Sequence, residues 1–400
     1  MQAILAVSIG KLLRFLVRLV RPGGGSALPG VVANKFDRNL LADSLKRLPE
    51  GIVVVSGSAG KSSTTQYLVS LLESHGMKVF TNNSTANIRQ GLVAAVLKQC
   101  NWRGQLDHDI AVLELDEGHG AVLAKELDVR LAVLTNVLSD QLDRFNDPDD
   151  VIAMLLTIGS SAKQVVINAD DKNLTQLEFK SPAVGFGLSK SLAQKQAVKY
   201  ALNFGPHPSI QILVEAGQNE IFVNTEPTLQ FTTTKLPEHQ VLNLAAAVTA
   251  LYLLIKPDPN SVSDVLKKLN PVFARNEMVQ VAETDVTIRL VQNPTSFQLN
   301  LDELAPDQKP LMLMAGRDIH DPSWLWTVDF KKLKRVEIVG GYNAAELALR
   351  LRFDGVEVGA VIQEATAAAD KFLELPGDSH TVLFSADAMR RVRRHWGLAK

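Results

Sequence analysis

One cysteine, Cys100, stands among the 400 residues, which excludes an intramolecular disulfide and any multi-cysteine zinc site. A lone thiol in an apolar helical stretch reads as buried packing rather than as a nucleophile, and a reducing compartment suits it. Neither sign of charge is in excess: 42 Lys and Arg face 43 Asp and Glu. No global cationic surface is therefore offered to a phosphate backbone, and nucleic acid is not an expected partner. No apolar run reaches the roughly twenty residues that a membrane-spanning helix needs, and no internal repeat is evident. What remains is ordinary globular composition, 46% apolar and 21% charged, at a length that favours two or three domains.

Residues 1–10 carry no charge, and Lys11, Arg14, Arg18 and Arg21 follow at spacings of three, four and three. That spacing puts the four cations on one helical face and leaves Leu5, Leu12, Leu16 and Leu19 or Val20 to fill the other. A signal peptide would place its charge first and a clean apolar run after it. Two readings stand: an amphipathic helix docked on the body with snorkelling cations, or a helix resting on an anionic cytoplasmic leaflet. The glycine-rich stretch at 21–26 then breaks the chain.

From 51 to 170, short β-branched runs alternate with helical stretches. Ile52–Val55, Lys78–Phe80, Ile110–Leu113, Leu131–Leu134 and Gln164–Ile167 read as strands, with helices at 64–75 and 87–99 among them. Strands apolar on both faces and separated by helices predict a parallel sheet with crossover connections. Between about 181 and 235 the runs shorten and alternate, as in Ile210–Val214 and Glu220–Val223, which predicts an antiparallel β-rich insert. A helix near 239–255 follows. A second β/α alternation begins near 277, with strands at Val286–Val291, Leu311–Met314, Val336–Val339 and Val382–Phe384 and helices at 343–353 and 363–373. The expected division is an N-terminal helix and lead-in segment over 1–45, a central nucleotide-binding domain over 46–272, and a smaller α/β domain over 273–400.

The chemistry concentrates at Gly57-Ser58-Ala59-Gly60-Lys61-Ser62-Ser63, between a strand and a helix. Glycines let backbone N–H groups turn toward phosphates, and the helix N-terminus adds partial positive charge. Lys61 would bridge the β- and γ-phosphates of ATP, and Ser62 would ligate Mg2+. The longer phosphate-loop pattern fails, because its first glycine falls on Val55, and the bland rival is a glycine-rich turn with an exposed lysine. Magnesium needs a further hard oxygen. Glu114 ends a buried strand at the carboxyl edge of the sheet, where ligands of open α/β sheets bind. It is either that ligand or part of an acidic helix start with Asp116 and Glu117, which would cap or touch substrate.

These residues, with Thr135-Asn136, Asp140–Phe145 and Asn168-Ala169-Asp170-Asp171, occur in the order seen in the Mur ligases, which the chain resembles. Within that family it is similar to the MurT branch, the synthetase subunits of lipid II isoglutaminyl synthases. Gln141 stands where the amino-acid-adding members have histidine, and Gln292–Phe297, Asp321–Trp326 with Asp329-Phe330, Gly340–Arg350 and Ala27–Gly30 extend the likeness over nearly the whole chain. The implied fold is a Mur ligase-like central α/β domain plus a C-terminal α/β domain. The implied reaction is ATP-dependent amidation of the D-glutamate α-carboxyl in the lipid II stem peptide. Its course is through an acyl phosphate, with ammonia from a GatD-like glutaminase partner, because one helical cysteine makes no glutaminase.

The resemblance also implies that Asn243, Asn168 and Asp171 touch adenine and ribose. It places Arg275 on the nucleotide phosphates, against a solvated hinge cation, and lets Asp321 orient the partner's catalytic histidine, against a helix N-cap. The branch's four-cysteine zinc ribbon is missing, so no zinc is expected. Ser139, Gln292, Pro237 and the stretch Leu313–Arg317 also depart from the pattern and bear on substrate contacts. Two rival functions are an amino-acid-adding or folylpolyglutamate-type ligase and a non-catalytic nucleotide-binding scaffold.

Overall fold

A computed structural model describes residues 2–20, 28–82, 88–137, 148–190, 192, 210–234, 236–268, 275–291, 294–308, 310–319, 321–377 and 379–398. The expectations for Arg21, Ser139, Asp140–Phe145, Gln292 and Asn293 lie outside these. The chain divides into two compact units, the first holding residues 1–137 and 147–269 and the second 270–400.

Among the described residues the first unit is built on nine strands: β1 (Ile52–Ser56), β2 (Val79–Thr81), β3 (Ile110–Glu114), β4 (Val129–Leu134), β5 (Ala162–Asn168), β6 (Ala183–Leu188), β7 (Gln211–Ala216), β8 (Glu220–Val223) and β9 (Leu229–Thr232). Their order is β2-β3-β1-β4-β5-β6-β7-β8-β9. β1 and β3 are buried throughout, as continuous Val, Ile and Leu runs require when helices cover both faces. The described helices are α1 (Gln2–Val20), α2 (Leu28–Phe36), α3 (Leu40–Leu45), α4 (Lys61–Ser74), α5 (Arg89–Gln99), α6 (Glu117–Ala124), α7 (Pro148–Ser160), α8 (Lys172–Thr175), α9 (Glu238–Leu254) and α10 (Pro259–Lys268).

Two expectations are corrected here. The strands after residue 181 are no separate antiparallel insert. β6 runs parallel to β5, and β7 parallel to β6, so both prolong the central sheet. In this sheet antiparallel pairing is confined to β7–β8 and β8–β9, so the runs near 210–214 and 220–223 do pair antiparallel, as an extension of the central sheet. Alternating burial had the look of a two-sided insert because these strands lie toward the edge, where one face meets solvent.

The helix α1 forms as expected, but with the opposite face inward. Ala6, Val7 and Gly10 are buried, while Leu5, Leu12, Leu16 and Leu19 are exposed. A Cβ on Gly10 would lie 2.6 Å from Leu97 and 3.2 Å from Ala33. The helix therefore nests on α2 and α5 through its small residues, whose lack of bulk lets backbones approach closely.

The second unit holds strands β10 (Arg275–Val281), β11 (Thr284–Leu290), β12 (Leu311–Met314), β13 (Arg335–Gly340), β14 (Glu357–Ile362) and β15 (Ser379–Phe384). They are ordered β10-β11-β15-β12-β13-β14 and parallel except for the β10–β11 hairpin. Its helices are α11 (Pro294–Asp302), α12 (Ala344–Phe353), α13 (Ala365–Leu373) and α14 (Ala386–His395). Core residues on the two faces of this sheet form two clusters, one around Phe297, Phe330 and Leu347 and one around Phe372, Phe384 and Met389.

Candidate active site

The site grows from strand register. β1 lies between β3 and β4, all three parallel, with Val55 paired to Glu114 and Ser56 paired to Leu134. The three strands therefore end at one level, and the loop after β1, the carboxylate of Glu114 and the pair Thr135-Asn136 share one edge of the sheet. In an open parallel sheet, this carboxyl edge at a change of winding is where ligands bind.

The loop is a glycine turn held from behind. Gly57 has φ +131° and Gly60 φ +86°, conformations that L side chains rarely adopt. A Cβ on Gly57 would run into Thr135 Oγ1, and one on Gly60 into Asn243 Oδ1. Asn136 receives the loop: its carbonyl accepts from Ser58 N at 3.0 Å and its Oδ1 from Ala59 N at 2.8 Å. Thr135 Oγ1 donates to Ala59 O at 2.6 Å. Gly60 then caps α4, whose first-turn N–H groups have no acceptor earlier in the helix. Thr64 Oγ1, at 3.4 Å from Asn243 O, and Tyr67 Oη, at 3.0 Å from Gln240 Oε1, tie α4 to α9.

Three side chains meet at this turn. Ser62 Oγ donates to Glu114 Oε1 at 3.1 Å. Lys61 Nζ lies 2.9 Å from Glu117 Oε1 and also donates to Gly57 O. Glu117 is wholly buried and is the lysine's counter-ion, not the helix cap. The cap of α6 is Asp116, which accepts from Gly118 N at 3.2 Å. Asn82 grips the backbone of Glu114 from both sides, donating to its carbonyl and accepting from its N–H, each at 2.9 Å. Sequence reading missed Asn82, and no spacing signal could have found it, since the contact spans 32 residues.

The donor set suits magnesium. Ser62 and Glu114 offer hard oxygens side by side, and Mg2+ takes one or two protein oxygens and completes its shell with phosphate oxygens and water. Glu117 adds negative charge, with its Oε2 buried and without a hydrogen-bond partner among the described residues. Among those residues no group of three or more His, Cys, Asp or Glu could hold a metal by itself, so a cation here depends on the phosphates.

The remaining expected residues fall in different places. Asn243 is buried against Gly60. Asn168 ends β5 and accepts from Asp170 N at 3.0 Å. Asp171 caps α8, accepting from Asn173 N and Leu174 N, and also accepts from Val137 N at 2.6 Å. Burial raises its pKa above the usual carboxylate range. Four backbone N–H donors thus fix the side chains of Asn168 and Asp171 at this edge. Ser58 and Ser63 are buried within the turn and its helix start. Arg275 opens β10, and its side chain lies outside the description. Asp321 is the exposed N-cap of a 3-10 helix, Pro322–Thr327, accepting from Ser323 N at 2.9 Å; the hydrogen bonds to Ser323 hold its carboxyl below its ordinary value. Cys100 is buried at the end of α5, and burial pushes its thiol up.

Residues 55–251 match the Mur ligase middle domain family, and residues 290–389 match the MurT ligase C-terminal family. The chain thus joins a Mur ligase middle domain to a MurT-type C-terminal domain. It is 27% identical to the lipid II isoglutaminyl synthase (glutamine-hydrolyzing) subunit MurT of Streptococcus pneumoniae, over 84% of each chain. With the same subunit of Staphylococcus aureus it shares 25% identity over 90% of this chain and 89% of the relative. Among solved structures, MurF ligase from Thermotoga maritima in complex with ADP superposes with a TM-score of 0.65 at 18% identity, covering 94% of this chain and 84% of that one. E. coli FolC with DHPP and ADP gives 0.62 at 16% identity, over 89% and 91%. These last two show the shared fold.

Proposed function

We propose that this chain is the MurT-branch synthetase subunit that converts the D-glutamate α-carboxyl of the lipid II stem peptide to its amide, using ATP and ammonia. The observation that carries the proposal is the convergence of Lys61, Ser62 and Glu114 on one glycine turn at the end of three parallel strands. The likeness of the chain to the named subunits over most of its length supplies the substrate class.

The chemistry follows from charge. A carboxylate oxygen attacks the γ-phosphorus of ATP, the bond from that phosphorus to its bridging oxygen breaks, and ADP leaves with the electron pair. Two anions must approach for this, so the residues around the turn act chiefly by countering repulsion. The Lys61 ammonium moves its donors from Gly57 and Glu117 toward the transferring phosphoryl group, while Glu117 stays behind it as the buried counter-charge. Backbone N–H groups of the loop and the first turn of α4 hold the β-phosphate. Ser62 and Glu114 would hold Mg2+, which when bound neutralises phosphate charge. Ammonia then attacks the acyl carbon, the carbon–oxygen bond to phosphate breaks, and a proton leaves the nitrogen. Asn243, against Gly60, belongs to the nucleotide side of the turn. The ammonia comes from a glutaminase partner of the GatD type, with Asp321 orienting that partner's histidine. The reaction runs at the cytoplasmic side, where ATP is available.

The test is amidation of lipid II by the chain with its glutaminase partner, Mg2+ and ATP, supplied with glutamine or with ammonium and read by mass spectrometry. The expected product has NH2 in place of one OH. Lys61→Ala should lower turnover on the order of 10²–10³-fold with either nitrogen source. Asp321→Asn should depress the glutamine-driven rate and spare the ammonium-driven one. A product that gains an amino-acid residue, or full turnover by Lys61→Ala, overturns the proposal, and equal loss with both nitrogen sources removes Asp321 from it.

A further inference from the structure

The helix α1 presents two opposed faces, and only one of them is used by the fold. Inward, Ala6, Val7 and Gly10 lie against α2 and α5. Outward, Ile4, Leu5, Leu12, Phe15, Leu16 and Leu19 are each 47–65% exposed. At 100° per residue these six fall within an arc of about 120°, centred opposite the buried face. Six large apolar side chains on a single solvent-facing stripe exceed the scattered exposure of an ordinary surface and mark a contact surface.

The charge around the stripe says what kind of surface meets it. Residues 1–36 contain Lys11, Arg14, Arg18, Arg21 and Lys35 and no Asp or Glu, the first carboxylate being Asp37. On α1 the position of Lys11 lies on the flank between the exposed stripe and the docked face, while that of Arg14 falls on the docked side. Lys11 Nζ donates to Cys100 O at 2.6 Å and sits 5.3 Å from the ring centroid of Trp102. Trp102, 63% exposed, thus stands beside the same cationic flank. An apolar stripe with a cation and an exposed indole at one edge, on a segment that carries cations and no carboxylate, is the pattern of a helix lying in the headgroup region of an anionic bilayer. A spanning role is excluded for α1, since no described helix is long and apolar enough to cross a membrane. Pairing of the stripe with a second copy would bring two cation-only segments together, which like charge disfavours.

We propose that the outward face of α1 binds an anionic lipid bilayer, with the helix axis parallel to the membrane plane and Trp102 at the rim of the contact. Docking through small residues is what leaves the large ones free for this role. The proposal goes beyond the ligase reading and does not depend on it.

The test is co-sedimentation of the full chain with vesicles of phosphatidylcholine alone and of phosphatidylcholine mixed with phosphatidylglycerol. Binding to the mixed vesicles is expected, weakening as NaCl is raised. Phe15→Ser with Leu16→Ser should lower that partitioning roughly tenfold or more. Both positions are exposed, so circular dichroism and magnesium-nucleotide affinity should stay as in the parent chain, which separates this outcome from loss of the fold or of the ligase site. No binding to mixed vesicles, or unaltered binding by the double variant, overturns the proposal. So does concentration-dependent dimerisation that the double variant abolishes while vesicles are ignored, which would assign the stripe to a second copy.

Discussion

After β1 the chain turns through Gly57 and Gly60 into α4; after β12 it turns through Gly316, again at the end of a parallel strand with parallel neighbours on both sides. The two edges share topology and differ in what fills the turn. In the second unit, Gly316 N donates to Ser385 Oγ at 2.8 Å, and Ser385 Oγ donates to Asp318 Oδ1 at 2.6 Å. Asn343 donates to the carbonyls of Gly316 and Ile319. A Cβ on Gly316 would lie 2.8 Å from Ala388 N, so the turn itself covers the start of α14. In the first unit the supports, Thr135 and Asn136, hold the loop from behind, and a lysine and a serine begin the helix. A parallel sheet edge thus leaves the start of its helix open or becomes a closed packing joint according to whether its turn is braced from behind or filled by its own side chains.

The largest test of that contrast is Gly60→Ala. The added Cβ falls on Asn243 Oδ1, and φ +86° is strained for any L side chain. Strain of about 1–3 kcal/mol, together with displacement of Asn243, should weaken magnesium-nucleotide binding on the order of 10- to 100-fold, as measured by calorimetry. Unchanged affinity would show that the turn's conformation does not shape the site.

The mirror experiment in the second unit is Ser385→Ala. It leaves the buried Gly316 N–H unpaired and strips Asp318 of a donor, at a cost of about 1–3 kcal/mol in denaturant unfolding. Nucleotide affinity should stay constant. A change in nucleotide binding without a change in stability would break the contrast, because the second edge would then be functional rather than closed.

How much of this was legible beforehand depends on distance along the chain. The spacing of Gly57, Gly60, Lys61 and Ser62 is local, so the turn could be read directly. Glu114 was readable because a strand apolar on both faces announces its own end. Asn82, Asn136 and Glu117 take their roles from strand register and helix packing, which no short window contains. Edge strands were missed for a related reason. β10 and β14 are the outermost strands of the second sheet, and β14 alternates exposed and half-buried residues, so neither shows the continuous apolar run that marked the interior strands. On α1 the docked-helix reading, one of two, turned the greasier face inward. The fold chose the smaller one, because glycine and alanine admit a neighbouring backbone and leucine does not.

The smallest effect concerns the first unit's edge beyond the turn, where Asp170 follows β5. Burial, opposed by the hydrogen bond from Leu188 N and aided by nearby Glu215, raises its pKa to about 6. An unfolded aspartate releases its proton near 3.9. Between roughly pH 4 and pH 6 the native state therefore holds more protons than the unfolded one, and stability falls as pH rises through that window. The contribution is fully favourable below the unfolded value and fully lost above the native one. Its size is on the order of 1–2 kcal/mol once partial solvation is allowed for. Asp170→Asn keeps an acceptor for Leu188 N and carries no charge, so urea unfolding of this variant should be flatter than the parent's between pH 4 and pH 7. An identical slope in both chains would mean that the carboxylate at this edge is solvated, and that charge is held there without cost.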